Sequence, residues 1–193
     1  MLRYQSLCLA PLLGFGSVSA FAASALDGDW QRPCWRGDLD LSVEEETAFA
    51  NDSFTILRRF SAQETCDRAD FQFMAKGEVI THDSPVVLGA LNVDVTWNSA
   101  VAVTLHEEAT RAFNQMEACG FTDWQTNVPK DIGGRQCETM RAPAAGQTYY
   151  LLFKVEGDTY YPGDINAPQQ DGLAEDRRPR TLAQYATSVR RSH

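Results

Sequence analysis

Histidine is scarce in this chain and basic residues are outnumbered. There are three His, and 17 Lys plus Arg stand against 26 Asp plus Glu, for a formal net charge of −9. His82, His106 and His193 lie far apart, and no two of Cys34, Cys66, Cys119 and Cys137 fall within four residues, so no metal-ligand spacing is present. The acidic balance argues against nucleic acid and anionic membrane surfaces as partners, since both attract positive charge. Also missing are a Gly-x-Ser-x-Gly elbow, a His-Glu-x-x-His helix, a phosphate-binding glycine loop and a dinucleotide fingerprint. No residue is therefore assigned to catalysis or to a metal, no cofactor is expected, and the chain is not read as an enzyme.

The remaining carboxylates do not repair that absence. Glu44-Glu45-Glu46 and the pair Asp38 and Asp40 read as solvated faces, because acids adjacent in sequence seldom form a catalytic couple. His106 with Glu107 or Glu108 falls in the first turn of a helix, where acids complement the dipole for structural reasons. His82-Asp83 is no stronger, and "DINAPQQDG", residues 164–172, lacks the regular spacing of a calcium loop.

What the chain does have begins with a leader. Residues 1–25 read as a signal peptide: Arg3 in the n-region, an apolar core from Leu7 to Val18, and a small-x-small cleavage site at Ala20-Phe21-Ala22 or Ala23-Ser24-Ala25. Pro11, Gly14 and Gly16 interrupt the apolar run well short of the roughly 20 residues that span a bilayer. The expectation is a soluble exported protein, periplasmic or secreted, with no membrane span after cleavage. Residues 26–193 then suit one domain with a sizeable core. Cys34, Cys66, Cys119 and Cys137 predict two disulfides, with three possible connectivities; Cys34–Cys66 with Cys119–Cys137 is preferred, because each pair ties one half of the chain.

Period-two alternation marks half-buried strands. Leu91, Val93, Val95 and Trp97 share one face, as do Tyr149, Leu151, Phe153 and Val155. Phe54, Ile56 and Phe60 share a face with Arg58, and Phe71 and Phe73 mark another run, ended by Lys76-Gly77. Ala50-Asn51-Asp52-Ser53 reads as a hairpin turn joining a strand around Val43–Phe49 to the next. One helix is expected at about 104–119, opened by a capping box at Thr104-Leu105-His106-Glu107, with Ala109, Ala112, Phe113 and Met116 on its packed face and Gly120 at its end. After Pro162 large apolar residues thin out, which predicts an extended segment over the sheet and a C-terminal tail at 183–193. The fold class is mainly β: an antiparallel barrel or strongly curved sheet with one helix and two disulfides.

The aromatic content of the strand faces is the feature that points to function. Trp30, Phe54, Phe71, Phe73, Trp97, Tyr149 and Phe153 can line a pocket for a lipid or other hydrophobic small molecule, or else fill the core. Arg58, alone among these apolar neighbours, is the candidate anchor for a carboxylate or phosphate head group, unless it sits at the rim with its charge in water. The alternative function is a protein-interaction module, an inhibitor or envelope-complex component, acting through loops or the C-terminal tail.

The order of landmarks resembles a known family. Gly28-x-Trp30-x-x-x-Cys34 is followed by "FTILRRF", by "ETC" at Cys66, and by "KGEV" and "LNVDVTW". Cys119-Gly120, Trp124, Asp131-Ile132, Cys137, "YYLLFKVEGDTYYPGD" and Arg178-Pro179 close the series. Together these resemble the adenomatosis-polyposis-coli-down-regulated (APCDD) domain, over residues 26–182. The resemblance implies a lipocalin-like barrel with disulfides among Cys34, Cys66, Cys119 and Cys137 and a hydrophobic interior that takes lipid, in a bacterial exported member carrying a single unit.

Overall fold

The computed structural model describes residues 25–192 apart from 38, 39, 139 and 167. Residues 1–24, nearly all of the expected signal peptide, lie outside the described residues. In chain order the strands are β1 (Gly28–Arg36), β2 (Ser42–Ala50), β3 (Ser53–Ser61), β4 (Phe71–Asp83), β5 (Ala90–Thr104), β6 (Lys130–Asp131), β7 (Gln136–Cys137), β8 (Met140–Arg141), β9 (Thr148–Glu156), β10 (Thr159–Pro162) and β11 (Ser188–Arg190); the helix α1 is Glu107–Gln115. Eight of the strands close an antiparallel barrel in the simplest order: β1 to β5 in succession, then β9, β10 and β11, which returns to β1. Closure leaves no long open edge among them.

The alternation seen in the sequence produces this barrel directly. On β5, Val93 and Val95 are fully buried and Trp97 is nearly so, while Asn92, Asp94 and Thr96 between them face outward. The β2–β3 hairpin forms at the expected turn, with Asn51 in the left-handed region at φ 53° and the Ser53 hydroxyl donating to the Ala50 carbonyl at 2.8 Å. Lys76-Gly77, by contrast, does not end a strand. It is a bulge against β5, and β4 runs on to Asp83. A Cβ on Gly77 would lie 2.6 Å from the Thr96 carbonyl oxygen, so only glycine lets the two backbones approach so closely.

The helix is shorter than the expected 104–119. Thr104 remains in the ladder, paired with Phe71, and its hydroxyl is 2.7 Å from that of Thr110. The cap is His106 instead: its Nδ1 accepts from the Ala109 N–H at 3.3 Å, and its Nε2 lies 2.6 Å from Asp70 Oδ1. Strand pairing therefore overrides the capping box. The helix stops at Gln115, and Gly120 (φ +77°) ends a separate 3-10 turn, Ala118–Gly120. Phe113 packs on Phe71 and on Trp124, and Phe71 stacks on Phe60 at 4.5 Å, so the helix seals one end of the barrel. Met116, expected on the packed face, is instead exposed.

Both disulfides have the preferred pairing. Cys34–Cys66 ties β1 to the loop before β4, and Cys119–Cys137 closes the insertion between β5 and β9. The expected tail at 183–193 contains β11, which completes the barrel through Trp30↔Arg190 and Tyr160↔Ser188. Few large apolar residues are needed there because backbone pairing and one buried serine suffice. The described residues of 163–187 form a wall beside β9 where β10 is too short to reach. Gly172 accepts from the Tyr150 N–H at 2.8 Å, and Arg178 donates to the Leu151 carbonyl at 2.8 Å and pairs with Asp94. No helix among the described residues is long and apolar enough to cross a membrane.

Candidate ligand cavity

Register stacks the barrel interior in levels. Phe49 faces Phe54 across β2 and β3, and Phe54 faces Gly77. One level along, Trp30, Thr47, Ile56 and Ala75 are successive partners across four strands. At the next level the partners are Arg32, Glu45, Arg58 and Phe73. The interior thus passes from aromatic to charged within two steps of each strand, and at that transition it opens into a cavity of about 400 Å³.

Its apolar walls come from Phe54, Ile56, Phe73, Trp97, Leu151 and Phe153, in a volume typical of small-ligand sites. The rings meet mostly edge to face: Phe54 with Trp97 at 5.5 Å, and Trp97 with Tyr149 at 5.7 Å. Beneath them Phe153 meets Tyr160 at 5.3 Å, and Tyr160 meets Trp30 at 5.1 Å. The segment from Pro162 to Ala186 and the stretch around Met140 and Arg141 supply the remaining wall.

Three of the charged groups of the cavity, Arg32, Glu45 and Arg58, meet at one level. Arg58 Nε and Glu45 Oε2 are 2.7 Å apart, and Glu45 is only 8% exposed. Direct cross-strand pairing places the two side chains next to each other. Arg32 flanks Glu45 from the other side but makes no ion pair among the described residues; its guanidinium lies 3.8 Å over the Trp35 ring and reaches the Tyr185 carbonyl at 3.5 Å. Burial holds the Arg32 guanidinium below its ordinary value, with Glu45 opposing and Arg58 reinforcing that direction. Burial likewise pushes the Tyr160 phenol up to about 12 and raises that of Tyr149, against the pull of Arg141. The Tyr160 hydroxyl donates to Thr47 Oγ1 at 3.4 Å, whereas the buried Trp97 Nε1–H has no hydrogen-bond partner among the described residues.

Six of the aromatic and basic residues singled out in the sequence meet here: Phe54, Arg58, Phe73, Trp97, Tyr149 and Phe153. Trp30 and Phe71 are placed elsewhere. Trp30 lies in the floor behind Tyr160, donating its indole N–H to the Leu26 carbonyl at 2.7 Å, and Phe71 sits under the helix. Glu45 corrects the reading of Glu44-Glu45-Glu46 as one solvated face. The strand alternates, so Glu44 and Glu46 point outward to Arg59 while Glu45 points in. Arg32 and Thr47 were missed, although each shares the parity of an inward aromatic, Trp30 and Phe49 respectively. Nothing local marks Tyr160, Met140 or Arg141.

The other titratable couples lie apart from the cavity. His106 pairs with Asp70 rather than with Glu107 or Glu108, and His82 with Asp94 at 3.5 Å rather than with Asp83. Asp40 lies 3.7 Å from Arg36, and Asp38 is outside the described residues. Among the described residues no group of three or more His, Cys, Asp or Glu side chains converges as metal ligands would. Compared with known proteins, the chain matches no family model and no curated protein.

Proposed function

We propose that this protein is an exported, non-catalytic binding protein that holds a lipid or other hydrophobic small molecule inside its barrel. The observation that supports this is the cavity of about 400 Å³, walled by aromatic and aliphatic side chains and carrying Arg32, Glu45 and Arg58 together at one level. Burial of apolar ligand surface contributes affinity at roughly 25 cal/mol per Å² before the costs of association. The two disulfides agree with an oxidising compartment outside the cytoplasm. The eight-stranded barrel and its disulfide pairs agree with membership of the APCDD family, which we propose on the order of landmarks from Gly28 to Pro179.

Lipid extraction and native mass spectrometry of the purified protein test the reading, together with titration of fluorescent fatty acids. Co-purifying lipid or saturable micromolar binding supports it; a barrel that emerges empty and refuses the probes overturns it. In that event the alternative of a protein-interaction module rests on loops rather than on the C-terminus, which is built into the barrel. The hairpin between β4 and β5, where Leu88 is 94% exposed, is its best support.

A further inference from the structure

The described side chains that line the cavity include three cations, Arg32, Arg58 and Arg141, and one carboxylate, Glu45. Glu45 is already engaged by Arg58 at 2.7 Å, so this pair is close to neutral. Arg32 and Arg141 make no ion pair among the described residues, although Glu45, closed on Arg58, is the cross-strand neighbour of Arg32. Of the five donors a guanidinium presents, Arg32 places one on a carbonyl, at the long distance of 3.5 Å. The neutral groups repeat this asymmetry. The acceptor at Thr47 is met by the Tyr160 hydroxyl, while the donor at Trp97 Nε1 is buried without a partner. Arg32, Arg141 and the Trp97 indole, the groups left without an ion pair or an acceptor here, are thus all positive charges or donors. Half-burying a guanidinium that makes no ion pair costs stability unless an anion completes it. The chain as a whole carries a charge of −9, so this local excess of cation runs against the global balance.

Resting on the binding reading above, we infer that the ligand is an anionic amphiphile whose carboxylate or phosphate head is held by Arg32, with Arg141 at the rim, while its apolar chain lies among Phe54, Trp97 and Phe153. Arg58 is then not the anchor. It neutralises Glu45 and keeps that buried carboxylate from repelling the head group. A bidentate guanidinium–oxyanion contact beside an apolar wall separates anionic from neutral ligands of equal chain length, because the chain term cancels.

The test uses the full mature chain and four ligands built on a twelve-carbon chain: dodecanoate, dodecyl phosphate, dodecanol and dodecyltrimethylammonium, followed by displacement of a fluorescent probe and by calorimetry. One or both anions are expected to bind about tenfold or more tightly than the alcohol, and the cation least well. The tighter of the two anions distinguishes a carboxylate from a phosphate head. In R32Q the anion-to-alcohol ratio falls to within about threefold while dodecanol affinity holds, and R32K recovers part of the ratio. R141Q, at an exposed position, gives a smaller loss in the same direction and serves should R32Q fold poorly by circular dichroism. Equal affinity for dodecanoate, dodecyl phosphate and dodecanol overturns the head-group assignment and leaves the carrier reading standing. Equal losses for anion and alcohol in R32Q also overturn it, and failure of all four ligands to bind overturns both.

Discussion

Two neighbouring zones of one barrel, an aromatic floor and a charged level, are built from the same alternation and end in opposite conditions. At the floor, Trp30, Tyr160, Phe153 and Phe49 fill the interior with rings in edge contact, and the one indole donor finds a backbone carbonyl. At the next level the inward positions of β1, β2 and β3 carry Arg32, Glu45 and Arg58, and the interior is open. A barrel of eight strands has room for packed side chains or for one small guest. The floor uses that room for stability, and the charged level leaves it free because long ionic side chains cannot close-pack without burying their charges.

The contrast makes its strongest claim at Trp30. Trp30→Ala should lower unfolding stability by about 3–5 kcal/mol, read from urea denaturation, because it deletes a fully buried ring. Arg32→Gln should cost far less in the same assay, and equal losses would break the distinction between floor and cavity.

Alkaline titration sharpens it next. Tyr160 is neutral in the fold with its phenol raised from 10.0 to about 12. The unfolded chain therefore releases that proton first, so stability is full below pH 10 and declines as pH rises from 10 towards 12. The loss is about 2–3 kcal/mol across that window. Unfolding curves at stepped pH should show it, and Tyr160→Phe should flatten the decline.

The smallest effect is expected at the charged level itself. Glu45→Gln removes the counter-ion of a partly exposed arginine and should cost only about 1 kcal/mol. The same substitution leaves the cavity more positive and should tighten dodecanoate binding severalfold, measured by calorimetry. Weaker anion binding in this variant would mean that Glu45 orders the site rather than opposing the head group.

Much of the fold was legible because alternation is a property of neighbouring residues. Val93, Val95 and Trp97 announce an inward face without reference to any partner, and Asn51-Asp52 announces its turn by local backbone preference. The four cysteines limited the staples to three arrangements, and keeping each staple within one half of the chain pointed to the pair that forms. Parity also placed Arg58 inward. The same rule would have turned Glu45 and Arg32 inward, but three consecutive glutamates suggest water, and a lone tryptophan two residues from an arginine does not announce a strand.

The sequence by itself determined which residues share a face, since side-chain direction repeats every two residues along an extended chain. It also determined the cysteine supply and the acidic balance, which are properties of composition independent of folding. Tertiary structure alone decided that Glu45 stands between Arg32 and Arg58 and closes on Arg58, because cross-strand partners are set by register between segments. It alone kept Thr104 in a ladder rather than in a helix cap, and drew residues 188–190 from an apparent tail into the last strand of the barrel. Each of these outcomes depends on backbone hydrogen bonds to distant residues, and those bonds leave no trace in the composition of the segment that makes them.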